Sequence, residues 1–94
     1  MGTIRLYATL RARAGGVRDV EIGWRPGTHV GDAIREMIDR NPNLEGCIVD
    51  AEGRVVPYVS VFIEGRDIRY LDGLATVLAD GDEIAIFPPV AGGC

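Results

Sequence analysis

The residues best placed to do chemistry stand at the end of the chain. Val90-Ala91-Gly92-Gly93-Cys94 follows directly on the run Glu83-Ile84-Ala85-Ile86-Phe87 and a Pro88-Pro89 pair. Two adjacent glycines lack Cβ atoms, so such a segment can lie extended in a channel too narrow for other residues. A chain end is ordinarily frayed and chemically idle. A diglycine there instead suits a protein whose terminal carboxylate is itself the reactive group. Cys94 complicates that chemistry, because it leaves the Gly93 carbonyl inside a peptide bond.

No catalytic constellation stands upstream. His29, the only histidine, falls where a helix starts and is expected to be solvated; one histidine makes no metal site. Asp80 and Asp82 have ligand-like spacing, but Asp80-Gly81-Asp82 reads as a turn. Gly15-Gly16 lacks the Lys-Ser/Thr that a phosphate loop requires. Cys47 lies in the apolar stretch Gly46-Cys47-Ile48-Val49 and reads as a small buried side chain. Trp24 reads as a cap on the core edge. Arg11, Arg13 and Arg18 form a small basic loop, either solvated or in contact with an acidic partner surface. Without a nucleophile, a base and an orienting group, an enzyme in its own right is not expected. Neither a metal site nor a bound cofactor is expected.

Composition narrows the classes further. Ninety-four residues make one domain, and 47% hydrophobic content is ordinary for a globular chain. A net charge of −4 attracts no phosphate backbone, which argues against nucleic-acid binding. Two cysteines make no disulfide framework, and a reducing cytoplasm fits best. The apolar runs are too short to cross a bilayer, and the start of the chain reads as a strand, so neither a membrane nor a signal peptide is expected. All ten basic residues are arginine. Codon bias in a GC-rich genome accounts for this; so does avoidance of internal amines by a protein with an activated terminus, since arginine stays protonated.

These features need a scaffold. Thr3 to Ala8 alternates with period two and reads as a strand, and Asp19-Val20-Glu21-Ile22 as a second, across a loop from Thr9 to Arg18. After Pro26-Gly27, Thr28 is the expected helix N-cap. Val30, Ala33, Ile34, Met37 and Ile38 then follow the i, i+3, i+4 pattern of an amphipathic helix that stops at Asn41-Pro42. Leu44 to Val49 is open between a short helix and a loop. Val59 to Ile63 alternates as a strand, with Glu64-Gly65-Arg66-Asp67 as its turn, and Glu83 to Phe87 is the last strand. The helix must bury its stripe on one face of a mixed sheet, met by Ile4, Leu6, Val20, Ile22, Val59, Val61, Ile63, Ile84 and Ile86. Alternation puts Tyr7, Phe62 and Phe87 on the other face. There they form either a docking patch for a partner, or rings covered by loops or paired across strands.

Tyr58-Val59-Ser60-Val61-Phe62-Ile63, Asp67 to Thr76, Leu78-Ala79-Asp80-Gly81-Asp82-Glu83 and Phe87-Pro88-Pro89-Val90-Ala91-Gly92-Gly93 together resemble the β-grasp sulfur carriers. This ubiquitin-like family includes the small subunit of molybdopterin synthase, the thiamine sulfur carrier and the carrier for cysteine biosynthesis. The Asp67 to Thr76 stretch looks most like the last. The resemblance implies an α+β, ubiquitin-like β-grasp fold over residues 1–89, with a mixed sheet, one main helix and a flexible tail over 90–94. It implies that Gly93 is adenylated by a ubiquitin-activating-like adenylyltransferase using ATP. A sulfurtransferase then leaves a thiocarboxylate there. Gly92 would permit threading, and Val90 and Ala91 would lie in the partner's channel.

Carriers of this kind mostly end at the second glycine, and Cys94 departs from that pattern. Three accounts compete. Cys94 is a precursor extension, removed by a zinc metalloprotease of the deubiquitinase type. Alternatively it is cargo: a pyridoxal phosphate-dependent cysteine synthase accepts the sulfur, and an S-to-N acyl shift leaves cysteine on Gly93. Third, it is an unrelated addition. Cysteine biosynthesis is the leading destination for the sulfur. The large subunit of molybdopterin synthase is the alternative acceptor, and a modifier forming isopeptide bonds with lysines is a third reading.

Overall fold

The computed structural model describes residues 1–88. The amphipathic stripe forms the main helix, α2 (Val30–Arg40), and all five of its stripe residues are buried. Each large apolar side chain removed from water contributes roughly 1.5–3 kcal/mol, so this face anchors the domain. The N-cap is His29 rather than Thr28. The Asp32 carboxylate accepts the His29 N–H at 3.3 Å, whereas the Thr28 hydroxyl accepts the Arg25 N–H instead. An acid in the first turn also meets the positive end of the helix dipole.

Five strands form the sheet: β1 (Gly2–Leu6), β2 (Asp19–Ile22), β3 (Ser60–Ile63), β4 (Arg66–Asp67) and β5 (Glu83–Phe87), in the order β2-β1-β5-β3-β4. β1 runs parallel to β5; every other pairing is antiparallel. The last strand therefore occupies the centre of the sheet. All nine strand residues expected beneath the helix are buried, with Ile4, Leu6, Ile84 and Ile86 fully so. This is the α+β, ubiquitin-like β-grasp arrangement, a mixed sheet with one main helix on one face.

Two local expectations are corrected. The segment from Thr9 is not simply a loop: Ala8–Arg13 is a short helix, α1, and its Leu10 is fully buried. Leu10 falls between arginines and small residues, a pattern too brief to show helical periodicity; the core it docks against stabilises it. The strand consequently ends at Leu6, and Ala8 turns the chain at φ 51°. Likewise, the turn after β3 is shorter than four residues. Glu64 and Gly65 both take positive φ, 47° and 81°, as a two-residue type I′ hairpin demands, and Arg66–Asp67 pairs back as β4.

Trp24 is 5% exposed and closes the core edge, its indole N–H donating to the Ala79 carbonyl at 3.0 Å. Cys47 is buried in the core. Asp82 accepts the Ala79 N–H at 2.8 Å, so the Asp80-Gly81-Asp82 segment is a turn.

Candidate functional site

β5 ends at Phe87, and the sheet face beside that end is aromatic. Alternation sends Phe87 on β5 and Phe62 on β3 away from the helix, and Tyr7, extended just past the end of β1, lies on the same face. In register, Ser60 lies opposite Phe87 and Ala85 opposite Phe62, which makes Phe62 and Phe87 diagonal neighbours. Diagonal positions are within reach of aromatic rings. Phe62 meets Phe87 edge-on, centroids 5.5 Å apart at 88°. Tyr7 stacks on the same ring at 4.3 Å and 15°. Both geometries suit the ring quadrupole, and each pair contributes about 0.5–1.5 kcal/mol beyond area burial. The three rings are thus paired across strands and remain in contact with water, Phe87 at 37% exposure.

Charges frame the rings. Arg5 donates to Asp19 at 2.9 Å and lies 3.6 Å from Glu83. Asp19 chiefly, with the Tyr7 hydroxyl and Glu83, raises the guanidinium above its ordinary value. Beyond Phe62, Asp67 is held by Arg69 at 2.7 Å. The Arg69 side chain and backbone N–H keep the Asp67 carboxyl below the usual carboxylate range. Arg11 was expected on a loop. Helix α1 instead sets it one turn past Tyr7, its guanidinium 6.0 Å from the ring centroid and its Nε donating to the Leu6 carbonyl at 3.3 Å.

Val90, Ala91, Gly92, Gly93 and Cys94, together with the 89/90 boundary, lie outside the described residues. Among the described residues no cluster of His, Cys, Asp or Glu is arranged to hold a metal ion, and no helix is long and apolar enough to cross a membrane. His29 is an exposed side chain 3.5 Å from Asp32, in keeping with its position at the helix start. A cleft of about 290 Å³ between β3 and the Ile68–Ala75 turns is floored by Val59, Val61, Ile68 and Leu74. It contains none of the residues singled out for chemistry.

A sheet gripping one main helix, with a diglycine following its central strand, defines a ubiquitin-like β-grasp protein. The ThiS family matches residues 4–93, and this chain belongs to that family of β-grasp sulfur carriers. It is similar to small archaeal modifier protein 3 of Haloferax volcanii, 40% identical over 92 residues and 96% of each chain. It is also similar to sulfur carrier protein CysO of Mycobacterium tuberculosis, 30% identical over 93 residues and 97% of each chain. A chain in the crystal structure of the Amycolatopsis orientalis BexX/CysO complex superimposes with a TM-score of 0.82 at 29% identity, covering 99% of this chain and 100% of that one. These relatives are named as a modifier and as a sulfur carrier.

Proposed function

We propose that this protein carries sulfur as a thiocarboxylate on Gly93, once Cys94 has been removed or turned over, and delivers it to cysteine biosynthesis. The observation that carries the reading is the family match through Gly93, joined to likeness over nearly the whole chain to a protein named as a sulfur carrier. A free carboxylate is a poor electrophile. An adenylyltransferase joins it to AMP from ATP and releases pyrophosphate. A sulfurtransferase supplies sulfur at the sulfide level, which displaces AMP and leaves the thiocarboxylate. The folded domain supplies recognition: Phe87, Phe62 and Tyr7 form the partner-binding face at the root of the tail. A zinc metalloprotease of the deubiquitinase type exposes Gly93. A pyridoxal phosphate-dependent cysteine synthase is the acceptor.

A second reading has its own support. The relative named as a modifier is the more alike of the two, at 40% identity. In that reading Gly93 joins lysine ε-amines of target proteins, and the absence of internal lysine forbids branched chains.

Intact mass spectrometry of the untagged protein from its own cells tests both. Loss of one cysteine residue with an oxygen-to-sulfur increment supports the carrier. Gly93 bonded to lysines without any thiocarboxylate supports the modifier. A population that keeps Cys94 throughout, with the metalloprotease present, refutes processing.

A further inference from the structure

Cys47 is disulfide-bonded, and no free thiol stands among the described residues. The chain has one other cysteine, Cys94, directly after Gly92-Gly93. The fold brings Cys47 toward the end of the sheet at which β5 finishes. Phe87, the last residue of β5, lies opposite Ser60 on β3. Val59, the residue before Ser60, donates its N–H to the Val56 carbonyl at 3.1 Å, and Val56 donates to the Ile48 carbonyl at 2.8 Å. Cys47 precedes Ile48 in the chain. Paired backbone residues stand about 5 Å apart and chain neighbours about 3.8 Å, so this bent path from Phe87 to Cys47 is roughly 25 Å long and the straight line is shorter. Residues 88–94 extend to about 23–25 Å, and a disulfide spans about 5–6 Å more between Cα atoms, so Cys94 can reach Cys47 with the domain folded. Cys47 is 1% exposed, and access governs thiol–disulfide exchange, which favours a sulfur that the chain itself delivers over a bulk reagent.

We infer that Cys94 is the bonded partner of Cys47 and that the bond is a redox latch on the diglycine. Closed, it ties the chain to the domain on both sides of Gly92-Gly93, so that segment cannot enter a narrow channel as a free end. The Gly93–Cys94 peptide bond is then withheld from a peptidase. The latch closes by exchange with a small-molecule disulfide such as glutathione disulfide. One cysteine thiolate attacks the oxidant and releases one thiol; the other cysteine sulfur displaces the second. Both electrons pass to the oxidant, and the two cysteine protons leave on its thiols. A dithiol or a phosphine reverses the step. The consequence for sulfur carriage rests on the carrier reading; the bond itself does not.

The test uses the 94-residue chain at low concentration, equilibrated with glutathione disulfide or with a phosphine. Each form is then given to a serine carboxypeptidase and followed by intact mass. Oxidised wild type is expected to be lighter than reduced by two hydrogens, with non-reducing peptide maps joining the Cys47 peptide to Cys94. It should release Cys94 about tenfold more slowly than the reduced protein. Cys94→Ser, which keeps the tail but not the thiol, should be trimmed at one rate in both conditions. Cys47→Ala keeps a small apolar group in the core and should take up one glutathione instead of losing two hydrogens. Trp24 fluorescence verifies that each variant is folded. Oxidised wild type that stays a dithiol, carries only glutathione or links two copies overturns the inference. A linked chain that loses Cys94 as fast as the reduced one overturns the latch. A protein that forms the bond but never carries a thiocarboxylate in its own cells removes the carrier reading and leaves the Cys47–Cys94 bond standing.

Discussion

Truncating Phe87 probes whether the aromatic face is a built surface or three incidental rings. Phe87 is 37% exposed, so it buries about two-thirds of its surface. Full burial of a phenylalanine contributes about 1.5–3 kcal/mol, and this partial burial about 1–2. The stack on Tyr7 and the edge contact with Phe62 add about 0.5–1.5 kcal/mol each. Phe87→Ala should therefore cost about 2–5 kcal/mol. Tyr7→Ala removes the stack from the other side, and the double variant closes a thermodynamic cycle. The coupling between the two should be about 1 kcal/mol. Urea denaturation followed by fluorescence gives each value, because the single tryptophan, Trp24, is 5% exposed in the core and apart from the ring stack. Single costs that add to within about 0.3–0.5 kcal/mol would show that the rings do not act together. In that event, loss of partner binding by Phe87→Ala could not be assigned to the assembled face.

Three further outcomes are expected. A Cβ on Gly2 would stand 1.8 Å from the Trp24 ring, so Gly2→Ala must displace the indole and break its bond to Ala79; about 2–4 kcal/mol of stability should go, with red-shifted emission, and a loss under about 0.5 kcal/mol would contradict the packing. Ala8 occupies the left-handed region at φ 51°, so Ala8→Gly should raise stability by about 0.5–1 kcal/mol, read as a higher melting temperature; a lower one would mean the corner is unstrained. Arg69 lowers the Asp67 carboxyl pKa, so that carboxylate stabilises the fold above its unfolded value near about pH 4, and the contribution disappears as pH falls through the lower folded value. Asp67→Asn should weaken the fold at neutral pH and flatten its acid-side decline, and parallel stability–pH curves for the two proteins would count against the ion pair.

Much of the scaffold was legible because its signals are local. The α2 stripe repeats at the helical period over three turns, and the strand residues alternate, so which side faces the core follows from spacing alone. Hairpin chemistry was legible in kind but not in extent: Glu64-Gly65 marked the turn, yet only pairing with β3 shows that Arg66–Asp67 continues as a strand. Helix α1 escaped the reading because six residues with one buried leucine carry almost no periodic signal. A helix that short owes its stability to tertiary contacts rather than to propensity.

The Gly92-Gly93 motif was legible in the sequence by itself, since it and the preceding residues are read in linear order and need no geometry to be recognised. The sequence also determined which side of each strand is wet. Only the tertiary structure decided that Tyr7, Phe62 and Phe87, up to 80 positions apart in the chain, meet as one stacked group. That meeting depends on β5 inserting between β1 and β3, and strand order is a long-range choice that no local pattern encodes. The same holds for Arg11, whose position over Tyr7 exists because a short helix folds back from the end of β1 onto the core.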